Sequence, residues 1–356
     1  MKINKASLLA DLNKVMPGLA TGTVAIENAD TLVFANGHIY SYNSIISVDV
    51  KCSQEISLEG TVKGQDFYDC ISKLPTDEIE IETVNNKWNI SSGEKIKVSM
   101  NLLPSGEFVQ TLDSIKPSEN WLPIDGNDLH NALSVCAIKG NVASFAGVYI
   151  KDNVALSTNQ WIINKYTLKD NYPEIFISEA CAEELMKWKS FTALQVNKVW
   201  LQFKSDDGVI FSVRTLDSKK FVSDRVTSAM NAIVQNNHVV KVSLNDEFFN
   251  VVQRAAVFSN TIDEHSAIGL FFQEGKVLVN SSRVSGDYKE IVDGMTVEMD
   301  NISPFKLMFD FNVFLSSEKY FRNLDILSAD DAVHPNEPVY VIMTNENSIK
   351  VFSSLV

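Results

Sequence analysis

The side chains with the widest chemical repertoire are dispersed. Five histidines, His38, His130, His238, His265 and His334, stand apart from one another and from Cys52, Cys70, Cys136 and Cys181. No two histidines have the i, i+4 spacing that sets two imidazoles on one helix face for a metal, and no Cys-x-x-Cys occurs. The thiols read as reduced and mostly buried. There is no Gly-rich phosphate loop ending in Lys-Ser/Thr, no Gly-x-Gly-x-x-Gly and no Gly-x-Ser-x-Gly elbow. The adjacent acids Glu183-Glu184, Asp206-Asp207 and Asp330-Asp331 diverge by about 100° on a helix or stand solvated in turns. The pattern indicates no metal, no cofactor and no catalytic group. The one enzymatic reading left is a hydrolase whose carboxylates converge only in three dimensions.

The basic residues are better organised. Lys14, Lys73, Lys139, Lys187, Lys189, Arg254, Lys319 and Arg322 fall towards the C-terminal ends of helical windows, while Asp11, Asp66, Asp128, Glu179, Asp246 and Glu247 lie nearer their starts. Complementation of the helix macrodipole produces the same polarity without a ligand. The chain of 356 residues carries 31 Lys+Arg against 45 Asp+Glu, a net −14, which argues against a protein coated with nucleic-acid-binding charge. The helical windows and their flanks hold as many basic as acidic residues, so the deficit sits on strands and loops. That separation suits a protein with one face towards phosphates.

The elements that must position these charges are mostly strands. Runs such as Glu78 to Val84, Lys95 to Met100 and Val199 to Lys204 alternate apolar and polar residues, and turn residues such as Asn85-Asn86 and Asp206-Asp207-Gly208 separate them, as in antiparallel hairpins. Three helical windows, Ser7 to Met16, Asn127 to Ile138 and Asp246 to Phe258, open on capping candidates Ser7, Asn127 and Asn245. Their apolar faces, Leu9-Leu12-Val15, Leu129-Ala132-Val135 and Phe249-Val252-Ala255, recur 120 residues apart. A second set, Gly64 to Leu74, Glu179 to Trp188 and Asn312 to Phe321, is followed each time by hairpin strands. The chain reads as three similar units joined near Ile115 to Asn120 and Met230 to Val239. No apolar run reaches the roughly 18 to 20 residues of a membrane-spanning helix, and the N-terminus lacks a signal-peptide core, so a cytoplasmic protein is expected.

Several segments match a known family in collinear order. Val62-Lys63-Gly64-Gln65-Asp66-Phe67-Tyr68-Asp69-Cys70-Ile71-Ser72-Lys73-Leu74-Pro75 and then Asn101-Leu102-Leu103-Pro104-Ser105-Gly106-Glu107-Phe108 resemble the first domain of bacterial DNA polymerase III beta subunits, the DNA sliding clamps. Glu183-Glu184-Leu185-Met186-Lys187 resembles the middle domain. Gln253-Arg254-Ala255-Ala256-Val257-Phe258-Ser259-Asn260, with Ile268-Gly269-Leu270 and Glu274-Gly275-Lys276-Val277-Leu278-Val279, resembles the third.

The resemblance implies an α+β fold: clamp domains at 1–118, 119–236 and 237–356, each with two helices on antiparallel sheets, and two chains head to tail in a ring around duplex DNA. It implies a non-catalytic processivity factor of replication, without cofactor, whose partners are DNA, the replicative DNA polymerase, a clamp loader and a second copy. Lys14, Lys73, Lys139, Lys187, Arg254 and Lys319 would face the DNA backbone. A partner-peptide pocket would comprise Phe145, Thr158, Trp161, Ile163, Val222, Arg225 and Val226, and Val98 and Met100 would meet Val257 and Phe258 across the ring interface. Thr158-Asn159-Gln160-Trp161-Ile162-Ile163 departs from the family's usual Thr-Asp-Gly-His-Arg-Leu, as a phage-encoded member would. The rival reading is a β-rich multi-domain structural or binding protein whose helices touch no DNA.

Overall fold

The computed structural model describes residues 1–20, 29–104, 106–137, 146–159, 161–235, 238–262, 265–273, 275–299, 303–316, 318–327 and 339–355. The chain begins with β1 (Lys2–Asn4), α1 (Lys5–Val15), β2 (Thr31–Ala35), β3 (His38–Tyr42), β4 (Ile46–Lys51), β5 (Gly60–Lys63), α2 (Gly64–Lys73), β6 (Glu78–Val84), β7 (Lys87–Ser92), β8 (Ile96–Asn101) and α3 (Gly106–Ile115). It continues through β9 (Leu122–Pro123), α4 (Gly126–Cys136), β10 (Gly147–Thr158), β11 (Ile162–Ser178), α5 (Glu179–Leu185), β12 (Phe191–Asn197), β13 (Trp200–Ser205), β14 (Val209–Arg214) and α6 (Ser223–Val234). The last part holds β15 (His238–Ser243), α7 (Asp246–Ala256), β16 (Asn260–Ile262), β17 (His265–Gln273), β18 (Lys276–Arg283), β19 (Gly286–Val292), β20 (Thr296–Met299) and β21 (Phe305–Asp310). It closes with α8 (Phe311–Leu315), β22 (Asn323–Leu327), β23 (Tyr340–Thr344) and β24 (Ser348–Ser353).

These elements gather into two compact units. Unit one is Met1–His130 with Ala180–Leu216, and unit two is Asn131–Glu179 with Asp217–Val356. Unit one has a sheet in the order β1-β6-β7-β8 and a longer one, β5-β2-β3-β4-β14-β13-β12-β9. Unit two has β10-β11-β24-β23-β22-β15-β20, and β16-β17-β18-β19 with β21 also paired to β17. The expected α+β composition and antiparallel hairpins are present. Each long sheet is completed by strands far apart in sequence: β14 runs beside β4 from Val209↔Val50 to Val213↔Ile46, and β24 beside β11 from Ile162↔Phe352 to Tyr166↔Ser348.

The cores follow the apolar periodicity. In unit one Phe34, Phe67 and Trp88 pack with ring centroids 5.0 to 5.5 Å apart. In unit two Phe314 meets Phe248, Phe309 and Phe352 edge-on. The predicted faces of α4 and α7 are buried, whereas in α1 Leu8 rather than Leu9 joins Leu12 and Val15. The caps also differ. Asn4, not Ser7, caps α1, accepting the Ser7 amide, and Asp125 accepts the amides of Asn127 and Asp128 at the start of α4. Asn245 caps α7 as expected.

Two helices are shorter than predicted. At the end of α5 the amides of Lys187 and Trp188 bond to Glu184 and Leu185, three residues back, tightening the chain out of the α-helix. After α8, Ser316 Oγ donates to the Val313 carbonyl, a local bond that competes with helical continuation. Two helices lie where none was predicted. One is α3, and the other is α6, whose buried Val226 and Met230 are spaced i, i+4 in a stretch that includes part of the expected junction at Met230 to Val239.

Candidate nucleic-acid and partner interfaces

Of the expected cationic residues, Lys14, Lys73, Lys187 and Arg254 are on or just past helix ends. In unit one, Lys14 lies in the last turn of α1 and Lys73 ends α2. These helices adjoin, with Tyr68 Oη donating to Asn13 Oδ1 at 2.9 Å. Lys14 Nζ donates to Asp207 Oδ2 at 2.6 Å. Burial works to raise the Asp207 carboxyl, but hydrogen bonds from Lys14 and Ser205 outweigh it, and the group sits below the ordinary aspartate value. Lys187 lies past α5 and pairs with Glu184 at 2.7 Å.

In unit two, Arg254 in the last turn of α7 is clamped by Glu247 at 2.6 Å and Glu290 at 2.8 Å, with Tyr288 beside it. Those bonds, the one to Glu290 foremost, raise its already high pKa. Lys319 lies in the turn beyond α8, so the shortened helix leaves it off the expected helix end. Lys73 and Lys319 are exposed and have no acidic partner among the described residues. Lys139 lies outside the described residues.

The apolar candidates converge in unit two. Thr158 of β10 sits opposite Ile163 of β11, Ile163 opposite Val351 of β24, and Val351 opposite Ile342 of β23, so four side chains form one row across four strands. Ile163 packs against two clusters: Tyr149, Leu156, Phe176, Phe221 and Val226 on one side, and Met230, Leu327, Ile342 and Val351 on the other. The Tyr149 and Phe221 rings stack 4.9 Å apart. Val226 and Met230 present the buried face of α6 to this surface, Val222 precedes the helix, and Arg225 is on its exposed side. A cavity of about 260 Å³ lies alongside, lined by Tyr149, Val154, Leu156, Lys165, Thr227 and Met230 among others.

Trp161 stands at the tip of the β10–β11 turn with 66% of its surface exposed. The turn is fixed by Asn159 Oδ1, which accepts the amides of Trp161 and Ile162. Phe145 lies outside the described residues. The sequence reading missed Val351, Ile342 and Met230. The alternation of Ser348 to Ser353 marks a strand with Ile349 and Val351 on one face, but not which strand it joins.

The expected ring-interface residues lie at sheet margins. Val98 and Met100 are on β8, the end strand of its sheet, where they are half-buried between exposed neighbours. Val257 caps the C-terminus of α7 with 63% of its surface exposed, and Phe258 stacks on Tyr288 of β19, the end strand of its own sheet.

The groups with catalytic repertoire are engaged locally. Asp207 pairs with Lys14, and Asp206 Oδ1 accepts from Thr192. All four cysteines are free, Cys136 and Cys181 buried, and burial pushes the Cys136 thiol up to about 12. Among the described residues no three His, Cys, Asp or Glu side chains gather as a metal would need, and no helix is long and apolar enough to cross a membrane.

No family model and no curated protein matches the sequence. Solved structures do. The DNA polymerase III beta chain from Streptococcus pneumoniae superposes with a TM-score of 0.77 at 16% identity, covering 100% of this chain and 99% of that one. The DNA polymerase sliding clamp from Bacillus subtilis gives 0.76 at 16% identity over 100% and 98%. The beta subunit of DNA polymerase from Streptococcus pyogenes gives 0.77 at 16% identity over 99% of each chain. The fold is that of these clamps from end to end.

Proposed function

We propose that the chain is a DNA sliding clamp, a non-catalytic processivity factor that encircles duplex DNA and tethers the replicative DNA polymerase. The observation that carries the reading is the likeness in fold to sliding clamps over the whole chain. The unit of function is a head-to-tail homodimeric ring, each chain contributing clamp domains at 1–118, 119–236 and 237–356, placed on DNA by a clamp loader in the cytoplasm.

Lys14, Lys73, Lys139, Lys187, Arg254 and Lys319 serve the DNA-facing surface. Their sparseness, and the carboxylates holding Lys14, Lys187 and Arg254, suit a protein that must slide: contacts to phosphate carry no sequence information, and each adds salt-dependent affinity that would slow movement. The net charge of −14 keeps the remaining surface unattractive to DNA.

The row from Thr158 to Ile342, with Val226, Val222, Arg225, Phe145 and Trp161, receives a short apolar peptide of the polymerase or loader. Its aliphatic floor is buried apart from the half-buried Ile163, and that residue beside the exposed tryptophan has the character of an anchor site. Ring closure sets the β8 edge of one copy, with Val98 and Met100, against Val257, Phe258 and the β19 edge of the other. Continuing the sheet in this way covers two open edges.

The test is primer extension on primed circular single-stranded DNA with the polymerase and loader from the same source. Long products that depend on this protein, from a species of about twice the 39.7 kDa chain mass, are expected. No stimulation together with a monomer in solution overturns the proposal.

A further inference from the structure

The second sheet of unit two turns one face to the core and one to solvent. Ile268, Leu270 and Phe272 of β17 and Val277 and Val279 of β18 are buried on the side that meets α7. The residues between them point the other way. There Lys306 of β21 lies opposite Phe271 of β17, Phe271 opposite Leu278 of β18, and Leu278 opposite Ile291 of β19, in one row across four strands. Phe271 and Leu278 are half-buried and Ile291 is 48% exposed, so the row is an apolar stripe open to solvent.

Lysines stand on both sides of the stripe. One rung before Leu278 on β18 is Lys276, opposite Gln273, and one rung after it is Asn280, opposite Lys289 of β19. Lys306, at the end of the stripe, is drawn to the Lys289 side. A Cβ at Gly269 would come within 2.3 Å of Lys306 Cε, so the lysine stem lies over that glycine. In the amide orientation that satisfies both its polar atoms, Asn280 donates from Nδ2 to the Gly269 carbonyl at 3.1 Å and accepts at Oδ1 from Lys306 Nζ at 3.2 Å.

These residues line a hollow of about 450 Å³ whose walls carry three lysines and no carboxylate, on a chain of net charge −14. None of the three lysines has an acidic partner among the described residues. Asp287, one rung beyond Lys289 on β19, accepts from Ser282. The two flanks are four residues apart along β18, about 13 Å. A small anion held between them would rest on carbon. A ligand with apolar groups in the middle and carboxylates on both flanks matches every part. The stripe crosses three strand gaps, about 14 Å, the rise of roughly nine helical residues. A helix laid along it, about 10 Å across, would bring acids on its two sides to the two lysine flanks. Single-stranded nucleic acid suits the hollow less well, because Phe271 is its one aromatic residue and is half-buried.

We infer that this hollow docks an acidic amphipathic helix of a partner protein. The apolar face of that helix lies on Phe271, Leu278 and Ile291, and its carboxylates meet Lys276 on one flank and Lys289 and Lys306 on the other. The surface uses a different sheet from the row around Ile163 and does not require a ring.

The experiment is fluorescence anisotropy on the full chain with a labelled peptide of about twelve residues, leucine at i, i+3, i+4 and i+7 spacing and glutamate between. A scrambled peptide of the same composition and a version with lysine for glutamate are run beside it. Saturable binding of the acidic amphipathic peptide alone is expected, falling as salt rises. The double variant Lys289→Glu, Lys306→Glu should weaken it about three- to thirtyfold. Ile291→Asp should weaken it as well, and Lys289→Arg should retain it. Both lysines are exposed, so the charge variants decide the matter even if Ile291→Asp melts early. No saturable binding, equal binding of the scrambled peptide, binding unchanged by charge reversal, or a signal that Trp161→Ala removes and the lysine variants leave overturns the proposal. A stronger signal from oligothymidylate or from phosphatidylglycerol vesicles also overturns it, and assigns the lysines to nucleic acid or to a bilayer.

Discussion

Lys14 and Asp207, 193 residues apart, meet in an ion pair of 2.6 Å that ties the last turn of α1 to the β13–β14 turn. Both side chains are partly exposed, so the pair stabilises the fold by only about 0.2 to 1 kcal/mol. On the proposed function, its larger effect is on the charge that α1 would offer to DNA. The Asp207 carboxyl is depressed below its usual value, so the pair holds above the ordinary aspartate range and is lost only as pH falls through the lowered value.

Releasing Lys14 should strengthen DNA contact. Asp207→Asn is expected to raise affinity for a short duplex, and Lys14→Ala to lower it and flatten the logarithmic salt dependence by about 0.9 per lost phosphate contact. Fluorescence anisotropy across a salt series reads both slopes. Identical slopes in wild type and Lys14→Ala would remove Lys14 from the DNA-facing set.

Variants of the proposed partner surface separate binding from folding. Trp161 is mostly exposed, so Trp161→Ala should change stability by less than about 0.5 kcal/mol and still weaken capture of the polymerase, because an exposed tryptophan beside an apolar floor has the character of a hot spot. Ile163→Ala should cost both, with about 1 to 2 kcal/mol of stability lost where it bridges two clusters. Thermal melts and surface plasmon resonance on immobilised polymerase distinguish the two outcomes. Undiminished capture by both variants would place the partner site elsewhere.

The contrast between Ile163 and Val351 marks what the sequence could convey. Periodicity identified the faces of α4 and α7 because a helix carries its own register, and the burial of Phe249, Val252 and Ala255 follows from their spacing. Alternation also located β24, but pairing is a property of two strands, and β11 and β24 are separated by almost half the chain. The row that joins Thr158, Ile163, Val351 and Ile342 was therefore legible only on its first two members. The helix α6 was hidden for another reason: Val222 at its N-cap makes no side-chain capping bond, and Ser223 and Asp224 fall inside the first turn rather than ahead of it.

If the proposed ring forms, its interface can be broken without unfolding the protomer. Val257 is so exposed that Val257→Asp should leave the melting temperature almost unchanged, yet it would bury an unpaired carboxylate where two copies meet. Sedimentation velocity at micromolar concentration should then show the 39.7 kDa chain in place of a species of about twice that mass. Val98→Asp, on the opposite edge at β8, should do the same. A dimer that persists in both variants would move the interface away from these two edges.

The buried Lys350 makes stability depend on pH. It is only 2% exposed on β24, with Nζ donating to the Val313 carbonyl and Ser316 Oγ and lying 5.4 Å from the Phe321 ring centre. Burial lowers its pKa to about 7, against a weaker opposing influence from Cys136. In the unfolded chain the ammonium keeps its proton up to about 10.4. Between these values the unfolded state binds more protons than the folded one, so stability rises with pH; the penalty is full below about 7 and gone above the unfolded value. Lys350→Met removes the titrating group. It should gain most relative to wild type near pH 6, and the difference should shrink by pH 10 by an amount on the order of a few kcal/mol. The lost hydrogen bond to the Val313 carbonyl shifts the whole difference by a constant, which leaves its pH slope intact. Urea denaturation of both proteins at pH 6, 8 and 10 measures that slope, and parallel stability profiles would mean that Lys350 titrates normally in the folded chain.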